Sequence, residues 1–280
     1  MKSPEQIKGA IRNIAKEKNL RAQEVLQMFL FERILERLST SSYRDNFILK
    51  GGLLISSMIG ISERTTMDMD TTVKGIAMSE ETISATVQQI LSIDVGDGVV
   101  FRFKNIEPIR EDDDYNNIRI SLLAEYGKIR APIKIDITTG DEITPAAVEY
   151  DYALLFEERS IPLMTYTLET ILAEKYETVI RRNIGTTRAR DFYDLYTLYQ
   201  MHQEVIRPSI LRLAVQKTAK KRGSEAVLSE WESILEDILK DETLHKLWNN
   251  YLLETPYVRD LSFPEVVGGV KKVATLINVE

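Results

Sequence analysis

The hydrophobic period of the chain changes twice. From Ser3 to about Ser41 apolar residues recur every three or four positions, first as Ile7, Ile11 and Ile14 and then in the dense run "QEVLQMFLFERILERL", which predicts helix. Ser3, Pro4 and Glu5 make a sound helix start. After them, "ILKGGLLISSMIGI" reads as a glycine turn feeding a short helix. The period then becomes two: "MDMDTTVKG", "VVFRFKNIEPI", "NNIRISLLAEY" and "APIKIDITTGD" all alternate, predicting a sheet over residues 67–140 that one helix, at about Ser79 to Leu91, interrupts. "DYALLFEE" and "IPLMTY" read as further short strands. From Thr167 the helical period returns in "TLETILAEKYETVIRRN", "RARDFYDLYTLYQM", "RPSILRLAVQKTAKK", "SEAVLSEWESILEDILK" and "DETLHKLWNNYLLE", with turns at "NIGTT", "KRGS" and "ETPYVRD". This order predicts an α+β protein: N-terminal helices and a mixed-sheet domain over residues 1–160, and a helical domain over 161–280.

Composition narrows the chemistry. With 44% hydrophobic residues in 280, the chain can bury a real core. Its longest apolar runs fall far short of the ~20 residues of a membrane span, and "MKSPEQIKGAIRN" has no signal-peptide core, so a cytoplasmic protein is expected. There is no cysteine, and the two histidines, His202 and His245, stand apart, which excludes a disulfide framework and disfavours a zinc site. Any metal must sit on oxygen. The formal charge of -7 argues against sequence-blind coating of nucleic acid but leaves room for a local basic patch.

On a strand, residues two apart share a face, so Asp68 and Asp70 are expected to point one way while Met67 and Met69 pack the other. Adjacent carboxylates repel unless a cation lies between them. In "IKIDIT" the alternation puts Ile133, Ile135 and Ile137 on one face and Lys134 and Asp136 on the other. If the two strands are neighbours, Asp68, Asp70 and Asp136 form an oxygen-rich spot of the kind Mg²⁺ prefers. Upstream, Lys50-Gly51-Gly52 is a candidate phosphate loop, because glycines at a helix start let backbone N–H groups approach closely. Each feature also has a plain account: a solvated strand face and an ordinary turn. In the helical half, Lys175, Arg181, Arg182, Arg188 and Arg190 precede Asp191 and Asp194, which share a helix face. That set reads equally as a salt-bridged helix pair over a core of Leu172, Val179, Leu195 and Leu198, or as a phosphate-facing group in which Lys175 acts as a point charge.

Taken in order, "LKGGLL", the D-x-D after Arg64-Thr65-Thr66, the "KIDI" strand, "LETILAEK" and "RARDFYDLY" resemble the AbiEii/AbiGii toxin family. The resemblance runs from about residue 30 to about 200. It implies a polymerase-β-like nucleotidyltransferase core and a toxin of a bacterial toxin–antitoxin, abortive phage infection system. It further implies that Gly51 and Gly52, with Lys50, lie beside nucleotide phosphates, that Asp68 and Asp70 hold Mg²⁺, that Asp136 is the third carboxylate, and that Lys175 and Asp191 face the cleft. The expected substrate is a nucleoside triphosphate, GTP in some members; the expected acceptor is RNA, notably tRNA. The expected antitoxin is a separate winged-helix repressor that does not bind tightly.

Other classes remain open on the residues. Glycosyltransferases also use D-x-D, but usually after a nucleotide-binding βαβ unit, where this chain has some 40 helical residues. A metal-dependent nuclease also uses clustered carboxylates. A non-catalytic nucleotide-binding or interaction protein would need no chemistry from them. The basic groups at 181–190 and 216–222 suit an RNA backbone or complement helix dipoles equally well.

Overall fold

In the computed structural model, which describes residues 3–109, 117–258 and 260–278, the N-terminal period resolves into two helices, α1 (Pro4–Glu17) and α2 (Ala22–Thr40). Ser3 closes a capping box over α1, its hydroxyl accepting from the Gln6 N–H while the Gln6 side chain accepts from the Ser3 N–H. α2 is buried nearly all round, including Arg33 and Arg37. It tolerates these charges because each is met: Arg37 forks onto Asp97 at 2.5 and 2.7 Å, and Arg33 reaches Glu36 at 2.8 Å and Glu157 at 2.9 Å.

The alternating segments form one sheet from β1 (Phe47–Lys50), β2 (Met69–Val73), β3 (Val100–Pro108), β4 (Ile118–Tyr126), β5 (Ile129–Thr139), β6 (Val148–Ala153) and β7 (Ser160–Thr165). Its order is β3-β4-β5-β2-β1-β7-β6, mixed in direction, with β1–β7 and β2–β5 parallel. The architecture is α+β. Between β1 and β2 lies α3 (Gly51–Ile59), and between β2 and β3 lies α4 (Glu80–Leu91), capped by Ser79. Ile118, Ile120 and Leu122 of β4 and Ile133, Ile135 and Ile137 of β5 are buried on one face. Their polar alternates, Arg119 and Asp136 among them, occupy the other.

The glycine turn that feeds a short helix holds, β1 passing directly into α3 at Gly51, whose φ is +66°. Several other expectations need correction. β2 begins at Met69, so Asp68 lies just before the strand, and Met67 is 40% exposed rather than packed beside Met69. β6 starts earlier than "DYALLFEE" suggests and ends at Ala153, since the Leu155 N–H turns away from the ladder to donate to Glu32 at 2.6 Å. Asn116, at the head of the predicted "NNIRISLLAEY" strand, and Arg259, in the "ETPYVRD" turn, lie outside the described residues.

The fold divides into two compact units: residues 1–141 with 147–165, and residues 142–146 with 166–280. The second is helical, with α5 (Leu168–Arg182), α6 (Ala189–His202), α7 (Pro208–Arg222), α8 (Glu225–Leu228), α9 (Trp231–Lys240), α10 (Glu242–Glu254) and α11 (Phe263–Asn278). "SEAVLSEWESILEDILK" therefore breaks into two helices. α11 lies beyond the predicted helical segments, and Gly268-Gly269 within it weakens helix propensity. Packing overrides propensity: a Cβ on Gly269 would stand 2.8 Å from Tyr196 Cα, so only glycine lets α11 lie this close to α6.

Candidate active site

Strand pairing assembles a row of charges. Lys50 on β1 stands opposite Asp70 on β2, Asp70 is beside Asp136 on β5, and Asp136 is beside Arg119 on β4. Paired positions share a face of the sheet, so the transverse sequence is cation, carboxylate, carboxylate, cation. Asp70 and Asp136 are half-buried, and Asp68 is exposed at the head of the row.

Asp70 is held by the glycines. The Gly52 N–H donates to its carboxylate. Gly51 has φ +66°, a left-handed conformation that suits glycine, and a Cβ there would run into the Asp70 side chain, 2.8 Å from its Cβ. Gly52 is similarly close to its neighbours: its Cβ would lie 2.9 Å from Thr66 Oγ1 and 3.1 Å from the Arg64 guanidinium. Both glycines thus let the start of α3 press against the aspartate strand. Burial raises the Asp70 pKa above the usual carboxylate value; Lys50 and the Gly52 N–H oppose the rise, and Asp136 and Asp68 add to it.

The other members of the row are already partnered. Arg119 Nε and Nη2 donate to the two Asp136 oxygens, each at 2.8 Å. Those bonds, from a guanidinium 31% exposed to a carboxylate 15% exposed, hold Arg119 still more firmly protonated. Lys50 Nζ donates to Asp141 at 2.6 Å, and Asp141 also accepts from Thr138 Oγ1 at 2.6 Å. Thr66 Oγ1 turns the chain into Asp68, accepting from its N–H at 3.3 Å.

Among the described residues no group of three or more histidine, cysteine, aspartate or glutamate side chains is gathered closely enough to hold a metal ion by itself. The donor chemistry nevertheless fits Mg²⁺, which is usually bound through one or two carboxylates and takes its remaining oxygens from phosphates and water. Asp70 beside Asp136 offers that pair.

In the helical unit, Lys175 on α5 lies between two carboxylates of α6, its Nζ 2.7 Å from Asp191 and 2.8 Å from Asp194. Burial lowers the ammonium pKa, and the two carboxylates more than offset it, leaving Lys175 above the ordinary lysine value. Leu172 and Val179 of α5 and Leu195 and Leu198 of α6 are fully buried. Arg181 instead pairs with Glu177 at 2.7 Å, while Arg188 and Arg190 are exposed.

The match to known proteins is specific. Residues 33–268 match the family described as nucleotidyl transferase AbiEii toxin of the type IV toxin–antitoxin systems. The chain belongs to the AbiEii toxin family. No curated protein matches this AbiEii-family chain. Its fold is similar to two Helicobacter pylori structures: a candidate nucleotidyltransferase (17% identity, TM-score 0.51, covering 92% of this chain and 96% of that one) and JHP933 (17% identity, TM-score 0.52, covering 92% and 93%). At such identity the likeness speaks for the fold. Family membership makes this AbiEii chain a nucleotidyltransferase of a toxin–antitoxin pair, with a nucleotide substrate and an antitoxin partner. No helix among its described residues is long and apolar enough to cross a membrane.

Of the residues expected from the AbiEii resemblance, Lys50, Gly51, Gly52, Asp70 and Asp136 come together in the first unit, with Asp68 at their edge. Lys175 and Asp191 come together in the second. Sequence reading missed Arg119 and Asp141 as members of the first cluster, whereas Asp194 was already grouped with Lys175 and Asp191. Arg119 carried a signal: in "NNIRISLLAEY" it alternates with Ile118 and Ile120, which puts it on the polar face. Its register against Asp136 depends on strand pairing, and no local pattern encodes that.

Proposed function

We propose that this chain is a Mg²⁺-dependent nucleotidyltransferase that binds a nucleoside triphosphate, GTP among the candidates, and transfers its nucleotidyl group to an RNA hydroxyl, with tRNA the favoured acceptor. The observation that carries this reading is Asp70 standing beside Asp136 across β2 and β5 while Gly51 and Gly52 press the α3 N-terminus onto Asp70. Asp70 and Asp68, with Asp136, would hold the cation. When bound, it supplies charge neutralisation at the phosphates.

The remaining work falls to side chains and backbone. The α3 N-terminus and Lys50 attract the phosphates. Asp136 accepts the proton of the acceptor hydroxyl as the new O–P bond forms at the α-phosphorus and the bond to pyrophosphate breaks, with pyrophosphate leaving. Lys175 and Asp191 enter through the family, and their ion pair makes Lys175 a held charge rather than a free phosphate hook. The antitoxin in this reading is a separate winged-helix repressor that counteracts the toxin in the cytoplasm without a tight complex, and phage infection is the setting.

The test incubates the protein with total RNA, Mg²⁺ and each α-³²P-labelled nucleoside triphosphate in turn, beside Asp70→Ala and Asp68→Ala, on a denaturing gel. A labelled RNA band that both substitutions abolish is expected. RNA shortened rather than labelled would replace transferase with nuclease. A band that survives Asp70→Ala would refute the site.

A further inference from the structure

We infer that Arg119 couples cation binding to nucleotide binding: its guanidinium holds Asp136 until a divalent cation and a triphosphate enter together, and then leaves it for a phosphate oxygen. This rests on the nucleotidyltransferase reading and names a substrate-binding residue within it.

In the row Lys50 and Arg119 flank Asp70 and Asp136, so each carboxylate has a cation beside it, while Asp141 on Lys50 and Asp68 at the head keep the cluster net acidic. Arg119 takes both oxygens of Asp136, so a cation that needs Asp136 has to compete with a fork-shaped donor already in place. Of the two flanking cations Arg119 is the better able to withdraw. Lys50 is more enclosed, 13% exposed against 31%, and tied to Asp141.

The guanidinium has somewhere to go. Its base is fixed on β4 between buried Ile118 and Ile120, while its head reaches the exposed face. Glu107 stands opposite it on β3, giving the withdrawn cation a carboxylate neighbour. The planar fork of a guanidinium can donate to two oxygens of one phosphate at once, which an ammonium does not match. Cation and triphosphate then each improve the other's binding through one side chain, and by linkage the improvement is mutual.

The probe is Mn²⁺, followed by electron paramagnetic resonance and calorimetry, with and without a non-hydrolysable nucleoside triphosphate, on wild type, Arg119→Gln, Arg119→Lys and Asp70→Asn. Arg119→Gln is expected to bind Mn²⁺ alone about tenfold more tightly and, at saturating Mn²⁺, the triphosphate about tenfold more weakly, within the usual range of coupling between sites. Arg119→Lys, which keeps the charge and loses the fork, should weaken the triphosphate by less. Opposite signs for the two ligands are something a damaged fold does not give, and circular dichroism checks the fold directly. If Arg119→Gln binds Mn²⁺ no more tightly than wild type, Arg119 merely positions Asp136 and the inference fails while the site stands. If wild type binds no Mn²⁺ even with triphosphate, the metal reading itself fails, whatever the Arg119 variants do.

Discussion

Replacing Lys175 with methionine tests whether the α5–α6 charge cluster is a structural ion triad. Methionine keeps the apolar stem and removes the ammonium that lies 2.7 and 2.8 Å from Asp191 and Asp194. Those carboxylate side chains are 9% and 0% exposed, so water does not replace the lost ammonium, and Arg188 stands 3.9 Å from Asp191. Breaking a buried pair in this way costs about 3–5 kcal/mol, because a charge is left uncompensated, whereas neutralising all partners together costs far less. Lys175→Met/Asp191→Asn/Asp194→Asn should therefore recover at least half of what Lys175→Met loses. The assay is urea unfolding followed by tryptophan fluorescence. Both tryptophans, Trp231 and Trp248, lie in the helical unit, and Trp248 is buried, so the signal reports on that unit. The midpoint should fall with the slope unchanged. A loss below about 1 kcal/mol for Lys175→Met would refute the reasoning, since that is the scale of an exposed pair. A triple variant no more stable than Lys175→Met would refute it as well.

Other outcomes follow from single positions. Gly51→Ala, at φ +66° and against Asp70, combines roughly 1–2 kcal/mol of backbone strain with overpacking of about 1–3 kcal/mol, so chemical denaturation should show a loss of a few kcal/mol together with lost nucleotide transfer; an unchanged midpoint would remove the close-approach account. Gly268→Ala, with open space around it, should stabilise α11 by about 0.4–1 kcal/mol, while Gly269→Ala, blocked by Tyr196, should destabilise it by about 1–3 kcal/mol; the tryptophan signal distinguishes the two, and equal effects would contradict the packing. Glu32 is pushed by burial up to about 8 from 4.5, despite the Leu155 N–H and nearby Arg33. The folded state keeps this proton where the unfolded chain releases it, so the stability contribution declines as pH rises from about 4.5 to about 8. Glu32→Gln keeps an oxygen for the Leu155 N–H and should flatten that slope, gaining a few kcal/mol at pH 8.5 relative to pH 5. Urea midpoints by circular dichroism at the two pH values measure it, and parallel slopes for wild type and variant would contradict the buried-carboxyl assignment.

What the sequence determined by itself is what short-range periodicity encodes. Alternation along "RIS", "KIDI" and the Met69–Thr71 half of "MDMDTT" assigned strand and face, so that Asp70, Asp136 and Arg119 had to be polar-face residues once their apolar neighbours were buried, while Met67 and Asp68 fell outside the strand. The change of period marked where sheet gives way to helix, and the ordered motifs from "LKGGLL" to "RARDFYDLY" were enough for the family. Tertiary structure decided register and partnership. Nothing local tells Asp70 that its neighbour is Asp136, 66 positions on, or tells Asp136 that Arg119 will hold both its oxygens; these follow from strand order β4-β5-β2-β1, a long-range outcome of core packing. The same holds for Lys175, whose sequence context suited a free phosphate ligand and a buried ion triad equally. Which partners the ammonium meets was decided only when α6 packed against α5 and brought Asp191 and Asp194 within hydrogen-bonding reach, because a buried charge settles only where such partners are at hand.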